Sequence, residues 1–281
     1  MEQRPFGRLG VAVPVIGEGT WNMERDSRSA CVTAIHRALD AGATHIDTAE
    51  LYGSGRVEEI VGEALAGRRD EAFLVSKVLP SHASYAGTLS ACEASLRRLR
   101  AEYLDCYLLH WTGSEPLEET IRAFEALSKA GKIRSYGVSN FDEKELAKAV
   151  RLAGPDRIVC NQVLYHLGER AIEHAVIPAC ERHGVAVVAY SPFGSGHFPS
   201  ARSAGGKVLA DIASAHGVTP RAIALRFLLR WPSMFAIPKA AEPNHVDANA
   251  RAGDLRLTEA ELERIDEAFP LGCRRSGVPT L

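Results

Sequence analysis

The run Phe73-Leu74-Val75-Ser76-Lys77 is a short, mostly apolar stretch that ends on a charged side chain and is followed by a helical pattern. Two further runs are built in the same way, one at residues 43–47 that ends on Asp47 and one at residues 104–110 that ends on His110. Short apolar runs bounded by loop residues favour strands that are covered on both faces, as in a parallel sheet. The downstream ends of parallel strands share one face, so we expect these polar side chains to meet there.

The same alternation of strand and helix patterns continues along the chain and predicts eight βα units with no Pro/Ser-rich linker between two halves. A segment with hairpin-like alternation, Arg8 to Val15, precedes them, and a helix at Glu259–Phe269 behind a Thr258 cap follows them. We therefore expect an α/β fold of one domain over residues 1–281: a (β/α)8 TIM barrel with an N-terminal β-hairpin and an added C-terminal helix. The predicted strands are Gly17–Thr20, Thr44–Thr48, Phe73–Lys77, Leu104–His110, Ser135–Ser139, Val159–Val163, Val185–Ser191 and Phe235–Lys239.

A doubly wound sheet is the main structural alternative, because it also alternates strands and helices. It requires a glycine-rich dinucleotide loop after an early strand, and the nearest candidate, Gly53-Ser54-Gly55, lacks the third glycine of that fingerprint. The barrel is therefore the favoured fold.

Composition and charge favour a small-molecule ligand. The chain has 281 residues, a net charge of −2 and Lys and Arg scattered along its helices, which argues against nucleic acid or an anionic membrane as a partner. Its six cysteines show no C-x-x-C spacing, so we expect reduced thiols and no metal site. The first residues lack the apolar stretch of a secretory signal and no run is long enough to span a bilayer, so we expect a cytoplasmic protein. We also expect it to act as a monomer.

Tyr52 stands shortly after Asp47, and the chemistry of the set Asp47, Tyr52, Lys77 and His110 points to carbonyl reduction. Such a reaction needs a hydride on carbon and a proton on oxygen, and side chains supply only the proton. A tyrosine is protonated at neutral pH, and a lysine ammonium beside it favours the anion left after proton transfer. Asp47 could hold Lys77 charged and oriented, and His110 could hydrogen-bond the substrate oxygen.

Other interpretations of these residues stay open at this point. Each of the four, taken alone, is more often part of a structural ion pair, an amphipathic filler or a surface group. A Schiff-base aldolase would use Lys77 as its amine. A metal-dependent hydrolase would need several His or carboxylate ligands at strand ends, where this chain offers one His.

Three motifs resemble the aldo-keto reductase superfamily over essentially the whole chain: Asp47-Thr48-Ala49-Glu50-Leu51-Tyr52-Gly53, Lys77, and Leu108-Leu109-His110-Trp111. The segment 164–168 looks most like small bacterial members that reduce methylglyoxal and similar aldehydes. The resemblance implies a barrel that binds NADPH, with NADH as the alternative, and a catalytic tetrad at Asp47, Tyr52, Lys77 and His110. Since some family members are regulatory subunits of membrane channels that bind the cofactor, a chain with little turnover is the alternative function.

The resemblance also implies a set of binding residues. Ser139, Asn140 and Gln162 match residues that hydrogen-bond the nicotinamide amide, and Tyr190 matches the aromatic ring that stacks on the nicotinamide. The expected cofactor residues are Gly19, Thr20, Ser139, Asn140, Gln162, Tyr190, Ser191, Pro192, Phe193, Ile237, Lys239, Ala240, His245 and Asn249, and the expected substrate residues are Trp21 and Trp111.

The segment after the last predicted strand departs from the family pattern at the adenosine 2′-phosphate. Lys239 matches the phosphate-binding lysine, but Ala240 replaces the usual serine, His245 replaces the usual arginine, and Glu242 stands where a small hydroxyl is common. A histidine lacks the bidentate fork of arginine and an added carboxylate repels a dianion, so we expect a weakened preference for NADPH. The short loop after His110 and the short tail predict an open pocket that favours small aldehydes or dicarbonyls.

Overall fold

A computed structural model of the chain describes residues 1–274 and 276–281. It begins with an antiparallel hairpin of β1 (Gln3–Pro5) and β2 (Ala12–Pro14). The hairpin is therefore present as predicted, but its first strand starts earlier than the expected segment. The Phe6 ring follows β1 and lies across one end of the barrel interior, where it packs against Phe235 with ring centroids 5.1 Å apart.

Eight parallel strands form the barrel, and each pairs with its neighbours in chain order. They are β3 (Glu18–Gly19), β4 (His45–Asp47), β5 (Phe73–Val78), β6 (Leu104–Leu109), β7 (Ile133–Ser139), β8 (Ile158–Leu164), β9 (Ala186–Tyr190) and β10 (Met234–Ala236). The sheet closes on itself through a parallel bridge between Ile16 and Ala236, with hydrogen bonds of 2.9 Å from Gly17 N–H to the Ala236 carbonyl and from Ala236 N–H to the Val15 carbonyl. The predicted TIM-barrel class is confirmed, and the doubly wound sheet is excluded.

The last strand is shorter than predicted because Pro238 cannot donate to a strand ladder. The chain still follows the barrel wall beyond β10, since Gly19 N–H donates to the Pro238 carbonyl at 3.0 Å. A side chain at position 19 would place its Cβ 2.5 Å from the Ile237 carbonyl oxygen. A glycine is therefore required where β3 meets the end of the barrel.

Ten helices surround the strands within the described part of the chain. They are α1 (Arg28–Asp40), α2 (Arg56–Ala64), α3 (Tyr85–Leu99), α4 (Leu117–Lys129), α5 (Glu143–Ala153), α6 (Val176–His183), α7 (Ala204–His216), α8 (Pro220–Leu228), α9 (Pro243–Arg251) and α10 (Glu259–Ala268). Side-chain caps fix several helix starts: the predicted capping box at Thr258 and Glu261 is present, and Asp142 and Glu145 form a second.

The barrel interior is apolar at the hairpin end and polar at the opposite end. The His45 ring packs against two phenylalanine rings, with centroid distances of 5.6 Å to Phe6 and 5.5 Å to Phe73. Phe235 packs on the Phe6 ring. Neither ring nitrogen of His45 has a hydrogen-bond partner within the described residues, although the side chain is buried. The polar side chains that the sequence analysis singled out lie at the other end, after the last residues of the strands.

Two further observations concern the predicted context of the chain. No helix in residues 1–274 and 276–281 is long and apolar enough to cross a bilayer. All six cysteines are free: five are buried and Cys273 is exposed.

Candidate active site

Three strand ends bring the four predicted catalytic side chains to one face of the barrel. Asp47 is the last residue of β4, Lys77 is the residue before the end of β5, and His110 directly follows β6. Tyr52 begins a short 3₁₀ turn at Tyr52–Gly55, in which Gly53 and Ser54 adopt positive φ angles of 56° and 55°. This tight turn returns the Tyr52 ring toward the barrel, where it is 9% exposed.

The Lys77 ammonium is the centre of the cluster. Its Nζ atom donates hydrogen bonds to Asp47 Oδ1 at 2.6 Å, to the Thr48 carbonyl at 2.9 Å and to the Tyr52 hydroxyl at 3.0 Å. These three acceptors use all three N–H groups of the ammonium. Since Lys77 and Asp47 are both buried, the pair is held in one orientation and removal of either partner would leave an uncompensated charge.

The environment keeps Lys77 charged and Tyr52 protonated. Burial alone would lower the pKa of Lys77, but the Asp47 carboxylate and the Tyr52 hydroxyl raise that pKa above its ordinary value. Burial also raises the pKa of Tyr52 above 10.0, and the attraction of the Lys77 ammonium for the phenolate opposes this shift. At neutral pH the cluster therefore offers a phenol proton beside a cation that stabilises the phenolate.

His110 lies beside Tyr52 and is a neutral imidazole. The two rings meet edge to face with centroids 5.9 Å apart. Burial and the positive charge of Lys77 lower the pKa of His110 to about 3. Its Nδ1 atom is buried without a hydrogen-bond partner in the described residues, and the residue borders the open space at the barrel mouth.

A second set of polar side chains comes from β7, β8 and β9. Gln162 Nε2 donates to Asp47 Oδ2 at 2.7 Å, which fixes the carboxylate oxygen that Lys77 does not use. Tyr190 donates its hydroxyl hydrogen to Asn140 Oδ1 at 2.9 Å, and Asn140 Nδ2 donates to the His110 carbonyl at 3.1 Å. The amide groups and the tyrosine are thereby connected to the catalytic cluster.

Two residues that directly follow strands at the barrel mouth, Asn140 and Ser191, have backbone conformations that cost free energy. Asn140 has a φ angle of 61° and Ser191 has one of 47°, both in the left-handed region that residues with a Cβ rarely adopt. Asn140 immediately follows β7 and Ser191 immediately follows β9. Strain of this kind persists where the surroundings fix the backbone, and it is concentrated at ligand sites.

These side chains line a cavity of about 490 Å³ at the barrel mouth. Its volume lies in the usual range of small-molecule sites. The lining includes three of the four catalytic candidates, Asp47, Tyr52 and His110, together with both predicted substrate residues. The fourth, Lys77, is fully buried and hydrogen-bonds Asp47 and Tyr52. The predicted cofactor residues in the lining are Gly19, Thr20, Ser139, Asn140, Gln162, Tyr190, Ser191, Ile237 and Lys239.

The sequence profile of the Aldo/keto reductase family matches residues 15–269. The chain belongs to the aldo/keto reductase family. It is 43% identical to the methylglyoxal reductase YeaE of Escherichia coli (strain K12) over 273 residues, which cover 96% of this chain and 96% of that protein. The resemblance drawn from the sequence motifs is confirmed, and the protein is an oxidoreductase.

Two solved structures from Klebsiella pneumoniae have the same fold. One is an aldo/keto reductase in complex with NADP and acetate. It superposes on this protein with a TM-score of 0.92 at 42% identity, and the match covers 99% of this chain and 99% of that one. An aldo-keto reductase in complex with NADPH superposes with a TM-score of 0.92 at 41% identity and covers 100% of both chains.

In this aldo/keto reductase, five predicted cofactor residues lie outside the cavity lining. Their roles stay predictions, because the cavity contains only part of the surface around the barrel mouth. Phe193 packs edge to face on Phe198 at 5.8 Å, and His245 is exposed, with its Nδ1 atom 3.9 Å from a carboxylate oxygen of Glu242. The five are Pro192, Phe193, Ala240, His245 and Asn249.

The cavity lining also includes side chains that the sequence analysis did not assign to the site. They are Leu51, Thr112, Glu145, Thr280 and Leu281. Thr280 and Leu281 belong to the tail that was expected to contribute little, and the backbone of Leu281 lies close enough to the Tyr190 hydroxyl to oppose the rise in its pKa that burial causes. Nothing in the composition of the tail signals this return to the barrel mouth. Thr112 and Glu145 lie two and six residues after the predicted strand ends His110 and Ser139, so their places in the sequence could have indicated a position near the site.

No group of three or more His, Cys, Asp and Glu side chains that could hold a metal ion occurs in the described residues. Lys77 is also unsuited to Schiff-base chemistry in this geometry, because an amine must be deprotonated to attack a carbonyl and its hydrogen-bond partners favour the ammonium. Membership of the family and the charged state of Lys77 therefore favour the reductase over the Schiff-base aldolase.

Proposed function

We propose that this protein is an NADPH-dependent reductase of small aldehydes, ketones or dicarbonyls such as methylglyoxal, with Tyr52 as the proton donor. The observation that carries the proposal is the hydrogen bond of 3.0 Å between the Lys77 ammonium and the Tyr52 hydroxyl at the wall of the cavity. The high identity to a methylglyoxal reductase and the NADP(H) complexes of two structural relatives support the substrate class and the cofactor.

The residues at the barrel mouth fit a nicotinamide dinucleotide. The amide side chains of Asn140 and Gln162 and the Ser139 hydroxyl lie at one wall of the cavity and suit a carboxamide, and the Tyr190 ring at the same wall suits an aromatic ring. When bound, the cofactor supplies the hydride that side chains cannot supply. Stacking on Tyr190 would fix which face of the nicotinamide meets the substrate.

The chain's own residues perform the proton transfer. Tyr52 donates its hydroxyl proton to the carbonyl oxygen as negative charge develops there. The Lys77 ammonium stabilises the resulting phenolate, and Asp47 holds the ammonium in place at 2.6 Å. His110, neutral because of its burial and of Lys77, donates a hydrogen bond to the same oxygen and orients the carbonyl.

The rim of the cavity supports a small and open substrate site. Trp21 and Trp111 are 39% and 38% exposed and line the cavity together with Leu51 and Leu281. Aromatic and aliphatic side chains at a rim contact an apolar substituent and leave the entrance accessible. We expect small aldehydes and dicarbonyls to react with higher kcat/KM than bulky steroids.

We also propose that the protein is one domain over residues 1–281 and acts as a monomer, and the same four side chains support the monomer. The large hydrophobic side chains exposed in the described residues are these four and Val11, so the exposed apolar surface is concentrated at the cavity rim. Stable self-association normally requires a contiguous apolar patch elsewhere on the surface. Light scattering on the purified protein tests the monomer. We place the enzyme in the cytoplasm, where reduced dinucleotides and small metabolic aldehydes are held.

Turnover separates an enzyme from a cofactor-binding regulatory subunit. The purified protein is mixed with NADPH and a panel of aldehydes that includes methylglyoxal, and the loss of NADPH absorbance is followed. We expect kcat values of about 1 s⁻¹ or higher for the best substrates, which is ordinary for enzymes. Tight binding of NADPH without turnover of any member of the panel would favour the regulatory subunit.

The cofactor preference is expected to be weaker than a strict requirement for NADPH. His245 is exposed and lies near Glu242, so neither side chain supplies the bidentate cation that a phosphate dianion prefers. Dissociation constants for NADPH and NADH from fluorescence quenching test this expectation. A preference for NADPH above about a thousandfold, roughly 4 kcal/mol, would contradict it.

A further inference from the structure

Lys239 is the only Lys or Arg side chain among the described residues that line the cavity. NADPH differs from NADH by one phosphate group on the adenosine ribose. A dianionic group that enters this cavity therefore has one cationic side chain to bind. The interactions that Lys239 makes before the cofactor binds therefore determine how much the phosphate contributes to the free energy of binding.

Lys239 is already paired with a carboxylate of the same chain. Its Nζ atom forms an ion pair and a hydrogen bond with Asp26 Oδ2. Asp26 ends the short 3₁₀ turn Met23–Arg25, and its N–H donates to the Met23 carbonyl at 3.1 Å, so the backbone that carries the carboxylate is fixed. Both side chains are about one third exposed, which leaves the pair accessible to a ligand.

A second carboxyl group lies behind Lys239. Glu18 is 1% exposed, and its Oε1 atom accepts a hydrogen bond of 2.8 Å from the N–H of Ala240, the residue after Lys239. The backbone N–H at this position is therefore occupied by the protein itself. The next side chains along the chain with ionisable groups are Glu242 and His245, which lie 3.9 Å from one another and are exposed.

We propose that Asp26 determines the dinucleotide preference of this reductase, because it holds Lys239 as an internal substitute for the cofactor's 2′-phosphate. A phosphate that binds Lys239 must displace the Asp26 carboxylate and then remain close to that negative charge. NADH carries a hydroxyl at this position and meets neither cost. Asp26 therefore weakens NADPH binding selectively and brings the affinities for the two cofactors closer together. The inference rests on the proposed binding of NADPH at this cavity.

Substitution of Asp26 by asparagine tests the proposal through cofactor binding alone. The dissociation constants of NADPH and NADH are measured on the cofactor-free protein by quenching of tryptophan fluorescence, since Trp21 and Trp111 line the cavity. For Asp26→Asn we expect NADPH to bind about fivefold more tightly, in keeping with the strength of a partly exposed ion pair, and NADH to change by less than about twofold. Asp26→Glu keeps the charge and should behave like the wild type.

A matched control removes a carboxylate elsewhere on the surface. Glu119 pairs with Arg122 on α4 at 2.6 Å and is outside the cavity lining, so Glu119→Gln changes the net charge by the same amount as Asp26→Asn. This variant should leave both dissociation constants unchanged. The increase in NADPH affinity caused by Asp26→Asn should also be smaller in a Lys239→Ala background, because much of that increase acts through Lys239.

Three results would overturn the inference. An unchanged dissociation constant for NADPH in Asp26→Asn would show that Asp26 does not compete with the phosphate. Equal tightening of NADPH and NADH would place the cofactor's pyrophosphate, and not its 2′-phosphate, at Lys239. Equal tightening in Glu119→Gln would assign the effect to overall charge. Failure of the wild type to bind or oxidise NADPH at all would instead contradict the proposed function.

Discussion

The hydroxyl group of Tyr52 accepts a hydrogen bond of 3.0 Å from the ammonium group of Lys77, although the two residues belong to different βα units. Neither group has its usual acidity in this arrangement, since the pKa values of both are raised. A proton donor with a high pKa is a weak acid until negative charge develops on the substrate oxygen. In the proposed mechanism the neighbouring cation then stabilises the phenolate as it forms, which is the stage at which stabilisation increases the rate.

Replacement of Tyr52 by phenylalanine should abolish most of the activity. The variant loses the proton donor but keeps the aromatic ring against His110, so we expect kcat to fall by at least about a hundredfold while the dissociation constant of NADPH changes by less than about twofold. Steady-state kinetics with methylglyoxal and a fluorescence titration with NADPH measure the two effects. Tyr85→Phe is the matched control, because Tyr85 lies on α3 outside the cavity. Full activity in Tyr52→Phe would show that another group donates the proton.

The rate of reduction should be independent of pH over a wide range. Tyr52 donates in its protonated form, so activity is present below its pKa, which burial raises above 10.0, and is lost as pH rises through that pKa. His110 acts as a neutral ring, and its pKa of about 3 keeps it neutral above that value. We therefore expect kcat to be flat between about pH 5 and pH 9. A fall of kcat on the acid side with a midpoint between about pH 6 and pH 7 would mean that an imidazole with an ordinary pKa takes part.

The barrel and the meeting of Asp47, Tyr52, Lys77 and His110 at its mouth could be predicted from the sequence because they depend on local patterns. Each strand is a short apolar run, and the side chain at the end of such a run lies at the barrel mouth whatever the rest of the chain does. The last strand was predicted to reach Lys239 but ends at Ala236, since the apolar pattern continues through a proline that cannot donate to the ladder.

Contacts between distant parts of the chain could not be predicted in the same way. Lys239 and Asp26 are 213 residues apart, and no local pattern signals that they pair. The tail reaches the cavity because distant groups hold its course: Arg170 donates to the Phe269 carbonyl at 2.5 Å, and Arg274 pairs with Glu143 at 2.8 Å. Such contacts follow from the closed fold and become visible only when the whole barrel is assembled.

His45 should make the protein less stable in acid. Burial lowers its pKa to about 4, from an ordinary value of 6.5 in the unfolded chain. The unfolded state therefore binds the proton first, so this contribution to stability is fully present above about pH 6.5 and is lost as pH falls from there to about pH 4, with a total of about 3 kcal/mol. Urea unfolding at pH 7 and pH 4.5 measures the loss.

Two substitutions isolate this contribution from that of His110, whose pKa is lowered in the same direction. His45→Phe suits the ring cluster of Phe6 and Phe73, and His45→Gln is the alternative if the larger ring does not fit. Either variant should lose less stability between pH 7 and pH 4.5 than the wild type. The same loss in the wild type and in both variants would show that His45 does not control the acid sensitivity.

Leu281 should restrict the size of the aldehyde that enters the cavity. Leu281 lines the cavity, as does the rim residue Trp111, and its backbone lies near the Tyr190 hydroxyl, so Leu281→Ala should widen the entrance and leave Asp47, Tyr52, Lys77 and His110 unchanged. We expect kcat/KM for a bulky aromatic aldehyde to rise at least about threefold relative to that for methylglyoxal, mainly through KM. Val11→Ala is the control, because Val11 is similarly exposed but lies outside the cavity. If the ratio of the two kcat/KM values is the same in the wild type and in both variants, the tail does not contribute to substrate selection.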